Sequence, residues 1–240
     1  MTSICTAYYQ FLLAQGISGG ISLGMTMAPC IALTGQYFNK NRAAAMGLAV
    51  AGSSIDVVIF PIALSKMFDN PRLTFGWTIR ICGFIILTTL LAASAVIRTR
   101  LPRRGRFFIP SAFKEPPYVI LIGALFLIMT GLWTPFFYLP TYAISNGMSV
   151  QLASYLISIM NGSSFFGRVI PGIIGDRIGP LNMLVASALS SGILIVFLQR
   201  ITTNATIILF SALYGFCSGG IVNLMSVTLA QIPKNPNEIY

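Results

Sequence analysis

The chain has 240 residues, of which 55% are hydrophobic and only 8% charged, and its formal net charge is +10. A soluble domain carries about 25% charged residues, so the composition excludes an ordinary water-soluble fold, and a chain this apolar does not read its excess of basic residues as a nucleic-acid surface. With no histidine present, Ser-His-Asp and Cys-His catalysis and His-containing zinc sites are excluded as well; no enzyme activity, cofactor or metal is expected.

A helix needs roughly 20 apolar residues to cross a ~30 Å hydrocarbon core. Residues 1–39, 81–97, 116–167 and 178–199 contain no charged side chain. The pattern predicts an all-α polytopic membrane protein with about seven transmembrane helices, at about 9–37, 43–65, 76–97, 117–143, 150–174, 181–199 and 206–230. Asn70-Pro71, Asn146-Gly147 and Gly179-Pro180 punctuate them. Lys40, Arg42, the basic residues of 98–114, Arg168, Arg177 and Lys234 fall on one side of the membrane. Lys66, Arg72 and Arg200 fall on the other, with Arg80 just inside the third span. The positive-inside rule makes the first side cytoplasmic. The expected organisation is a bundle over 1–97, a basic cytoplasmic loop over 98–116 and a second bundle over 117–240.

In the first span Gly16, Gly20 and Gly24 repeat every four residues, a spacing that lets helix backbones approach closely. Ser18-Gly19-Gly20-Ile21 recurs as Ser218-Gly219-Gly220-Ile221 in the last span, where Gly215 and Gly219 keep the same spacing. Asp56 lies in the middle of the second span. It reads as a desolvated proton carrier, as the ion-pair partner of Arg80, or as a drifted position. Trp133, Tyr138 and Tyr142 gather at the end of the fourth span, either lining a substrate vestibule or forming an interfacial aromatic belt.

The stretch GRVIPGIIGDRIG, residues 167–179, concentrates charge in an otherwise apolar region. Asp176 and Arg177 stand where the fifth span leaves the membrane. An acid there either binds the positive end of a neighbouring helix or a nearby arginine, or forms a solvated pair of little energetic consequence. Arg168, about two turns deeper, either faces a cavity and a substrate or snorkels to the interface.

Gly172, Asp176, Arg177 and Gly179, in the order G-x-x-x-D-R-x-G, resemble the cytoplasmic loop motif of the major facilitator superfamily. Asn161–Arg168, Arg42–Gly47 with Ala51–Ile55, and Phe75–Arg80 are similar to fungal members of its monocarboxylate-porter branch. The resemblance implies a partial major-facilitator fold in which the seven spans correspond to helices four to ten of twelve, so the chain reads as a truncated piece. It implies a carrier of a small organic solute, a monocarboxylate or related metabolite, working by alternating access, with a co-transported proton as a further partner. The alternative is a non-transporting remnant of such a carrier. It casts Gly172, Asp176, Arg177 and Gly179 as a gating motif and Arg168 as a substrate contact; Asn161 and Tyr138 are the further candidate substrate contacts. Monocarboxylate carriers have an aspartate one turn before this arginine; Ser164 stands there in this chain. The plasma membrane is the expected location.

Overall fold

The computed structural model describes residues 2–5, 7–38, 41–68, 73–97 and 113–229. Its elements are helical, with no strand among the described residues. In chain order they are α1 (Tyr8–Phe11), a π-helical segment (Leu12–Ile17), α2 (Ser18–Tyr37), α3 (Arg42–Phe68), α4 (Phe75–Val96), α5 (Pro116–Leu132), α6 (Thr134–Ser145), α7 (Val150–Ile178), α8 (Pro180–Leu198) and α9 (Asn204–Leu229). Residues 98–112, most of the expected basic loop, lie outside the described residues, as do Lys40, Arg72 and Lys234.

Apolar composition and local punctuation together place these boundaries. Pro116, Pro135 and Pro180 sit in the first turns of α5, α6 and α8, where the missing N–H costs no helical bond. Ser149 caps α7 by accepting the Leu152 N–H at 3.3 Å. Gly179 ends α7 with φ 98°, a left-handed conformation that side chains disfavour.

Tyr8–Tyr37, Arg42–Phe68, Phe75–Val96, Pro116–Ser145, Pro180–Leu198 and Asn204–Leu229 are each long and apolar enough to cross a membrane. The remaining expected span forms α7. At 29 residues it is long enough, but Asn161, Ser163, Ser164, Arg168, Asp176 and Arg177 make it the most polar of the long helices.

The chain divides into two compact units. One comprises the described residues of 1–37 and 59–102; Phe75 stacks on Phe68 at 5.9 Å and meets Phe11 edge-on at 6.3 Å. The other comprises those of 38–58 and 103–240. One boundary between the units falls within α3, whose first part groups with the helices that follow the basic segment. In this second unit α7 packs along α9, α8 covers both, and α5 and α6 flank them. Its core is built from Leu139, Leu156, Met160, Ile207, Phe210 and Tyr214 with smaller neighbours.

Close approach of α7 and α9 is permitted by glycine. A Cβ added to Gly215 would overlap the Met160 carbonyl, and one on Gly167 would overlap the Phe216 carbonyl. Side-chain hydroxyls then bridge the helices: Ser163 donates to the Ala212 carbonyl, and Ser211 to the Leu156 carbonyl at 2.8 Å. In lipid such bonds spare a hydroxyl from lying unpaired in hydrocarbon.

Candidate functional site

The first N–H groups of a helix have no intrahelical partner. In α3 the Ala45 N–H returns to the Asn41 carbonyl at 3.0 Å. The two before it are taken by α7. The Asp176 carboxylate accepts the Ala43 N–H through Oδ1 at 2.9 Å and the Ala44 N–H through Oδ2 at 3.0 Å. A negative charge therefore sits on the positive end of the α3 dipole, where it is stabilised. Gly172, one turn earlier on α7, makes the approach possible: a Cβ there would lie 2.8 Å from the Ala43 carbonyl oxygen. Arg177, beside Asp176, is exposed.

About two turns deeper, Arg168 reaches from α7 to the same helix. Its Nη1 donates to the Val50 carbonyl at 2.7 Å and to the Ser53 hydroxyl. Ser53 in turn donates to the Val50 carbonyl at 3.0 Å. Nη1 of the guanidinium is thus spent laterally on α3. Its buried Nε has no hydrogen-bond partner among the described residues.

The other expected substrate contacts are not gathered around it. Asn161 is buried, and its amide donates back to the Ile157 carbonyl of α7 at 2.9 Å. Tyr138, on α6, is 68% exposed. Among its aromatic neighbours, Tyr142 is used structurally, its hydroxyl donating to the Leu198 and Ile201 carbonyls at 3.0 and 2.9 Å. Ser164 packs against α9, where a Cβ on Gly219 would come within 2.8 Å of its hydroxyl oxygen.

Asp56 is exposed on α3. Arg80, in the other unit, lies over the ring of Trp77 on its own helix at 5.3 Å. Of the small-residue positions, Gly215 and Gly219 are buried against α7. Gly20 and Gly24 have open space beside them, and Gly16 meets only Leu12 of its own segment. The two Ser-Gly-Gly-Ile stretches thus have different surroundings, exposed in α2 and buried in α9.

Two contributions escaped the sequence reading. Val50 and Ser53 supply the acceptors for Arg168. Asn223, on α9, donates to the Arg168 carbonyl at 2.8 Å and to the Ala43 carbonyl at 3.2 Å. A signal for Asn223 exists: Ser211, Gly215, Gly219 and Asn223 fall every four residues on α9, and all are buried. The polar amide continues a packed stripe of small residues.

Residues 1–238 match the family described as Major Facilitator Superfamily. The chain is 52% identical over its whole length to an aspyridones efflux protein of Emericella nidulans, of which it covers 49%. It is 41% identical, over 97% of its length, to an MFS-type transporter of Aspergillus niger, covering 54% of it. It is 40% identical, over 96% of its length, to an agnestins efflux protein of Paecilomyces divaricatus, covering 54%. The chain spans about half the length of the curated relatives it matches.

Proposed function

This chain belongs to the Major Facilitator Superfamily, and on that premise we propose that the protein exports a small organic metabolite across a membrane by alternating access. It is a multi-pass integral membrane protein. The observation that carries the direction of transport is the 52% identity, over the full chain, to a protein named for aspyridones efflux. A second efflux protein, named for agnestins, supports it at 40%. The plasma membrane is the location that goes with this proposal, as export from the cell requires it.

In alternating access one bundle rocks against the other around a central site. α3 precedes the basic segment, and α7 and α9 follow it. The bonds from Asp176 and Arg168 to α3 are therefore those that a rocking motion breaks at this end. Charge distribution makes this the cytoplasmic end, so the Asp176 contact acts as a latch for the form closed on that side. The narrower expectation of a monocarboxylate cargo rests on Arg168 alone, and the names of the relatives do not point to it. An anionic group on the cargo engages Arg168 by displacing the Val50 carbonyl and the Ser53 hydroxyl, which loosens α3 as the cargo binds.

The test is transport by the full-length protein in inside-out vesicles, with a panel of small organic metabolites. ATP-independent accumulation of at least one of them above protein-free vesicles is expected. Accumulation of none refutes the export reading.

A further inference from the structure

Asn223 is fully buried on α9, yet it spends its amide on the backbones of two other helices. Nδ2 donates to the Arg168 carbonyl of α7 at 2.8 Å and to the Ala43 carbonyl of α3 at 3.2 Å. Glycine on both receiving helices makes room for it. A Cβ on Gly47 of α3 would lie 2.7 Å from Nδ2, and one on Gly172 of α7 would lie 2.8 Å from it. The same Cβ on Gly47 would also overlap the Arg168 carbonyl. Three helices therefore meet at a single amide group, with no space for a larger side chain.

Ala43 is the point of convergence. Its N–H is held by Asp176 from α7, and its carbonyl by Asn223 from α9. The first turn of α3 is thus gripped by two side chains on two helices. Asn223 also holds the backbone of Arg168, whose side chain reaches α3 farther along.

The chemistry of this amide suits a contact that breaks and reforms better than one that only stabilises. The Asn223 Oδ1 is buried with no hydrogen-bond partner among the described residues. A half-satisfied buried amide carries a desolvation penalty that an apolar side chain avoids. What an apolar side chain cannot do is release two specific carbonyls in one conformation and recapture them, in register, in another.

We propose that Asn223 is a positioning residue forming a second latch on α3. With Asp176, it sets the ratio of closed to open forms at this end of the protein. This inference rests on the alternating-access reading, but its signature is a distance and needs no known cargo.

The experiment uses the full-length protein in lipid nanodiscs, with its native cysteines, Cys5, Cys30, Cys82 and Cys217 among them, replaced. Spin labels go at Leu48→Cys and Ile178→Cys, both exposed positions, on α3 and on the last turn of α7. Asn223→Ala removes both donors and adds no bulk at the junction. The long-distance to short-distance ratio is expected to rise about tenfold, as fits the loss of two buried hydrogen bonds. Asn223→Ser also removes the amide without adding bulk, and is expected to move the ratio the same way. It decides the matter if Asn223→Ala does not fold. An unchanged ratio in the folded variants overturns the proposal, even if the unfolding temperature falls, because a purely structural role lowers stability without moving the ratio. A shifted ratio in a protein that transports none of the metabolites supports the latch and removes only the export reading.

Discussion

Asp176 and Ala43 lie 133 residues apart in the chain, and the Asp176 carboxylate accepts the Ala43 N–H at 2.9 Å. The second carboxylate oxygen takes the next N–H of the same helix end. A short acid at the end of one helix thus completes the open start of another.

Asp176→Asn tests what the charge contributes. An asparagine keeps the shape and accepts one of the two N–H groups, but turns its own NH2 toward the other and removes the interaction with the α3 dipole. A loss of about 1–2 kcal/mol from the contact is expected. In the full-length protein it reads as a rise of about tenfold in the open-to-closed ratio at this end, measured with the same label pair. An unchanged ratio would mean the pair is incidental.

Arg168→Lys separates charge from geometry. Lysine keeps the positive charge and can still donate to Val50 and Ser53, which arginine contacts through Nη1 alone, but it has no planar fork with which to hold a carboxylate bidentately. Transport of an anionic cargo is expected to fall by about tenfold or more, whereas Ser53→Ala, which removes one of the two acceptors, costs several-fold at most. Both are read as initial rates in vesicles. Equal rates for Arg168→Lys and wild type would remove Arg168 from the transport mechanism.

These two residues also show what was legible in the sequence. The membrane-spanning helices were readable from uncharged windows, because lipid admits no other way of satisfying the backbone. The G-x-x-x-D-R-x-G spacing located Asp176 at a helix end, and the general affinity of acids for helix N-termini suggested its kind of partner. Which helix supplies that partner was not readable, since the contact spans 133 positions. Arg168 was weighed between substrate and interface. Its lateral attachment to Val50 and Ser53 depends on how α3 lies against α7, which no local pattern encodes. Tyr138 reads as a substrate contact by its aromatic company; the structure leaves it exposed on α6, while Tyr142 and Tyr214 donate to backbone carbonyls of other parts of the chain.

The α7–α9 contact is tested by Gly215→Ala. The new methyl would overlap the Met160 carbonyl, and overpacking of this kind costs about 1–3 kcal/mol. The apparent unfolding temperature is expected to fall by about 2–10 °C. Gly192→Ala on α8, where a Cβ meets nothing within 4 Å, is expected to leave it within about 1 °C. Equal behaviour of the two variants would contradict the close approach at Gly215.

Tyr214 is fully buried, stacks on Phe210 at 5.5 Å and donates its hydroxyl to the Leu132 carbonyl at 2.8 Å, where α5 ends. Tyr214→Phe leaves the ring packing in place and strands that carbonyl. A destabilisation of about 1 kcal/mol is expected, measured by thermal unfolding in detergent, with transport rates unchanged within about twofold. A stability equal to wild type would show that the carbonyl finds another partner.

Export of a small organic metabolite, and control of the transport cycle by the Asp176 contact with α3, can be tested together. The most direct measurement is metabolite accumulation in inside-out vesicles carrying the full-length protein, with wild type and Asp176→Asn side by side. Saturable accumulation by wild type is expected, at a rate reduced by about tenfold in the variant. Accumulation by neither, or at equal rates by both, would contradict it.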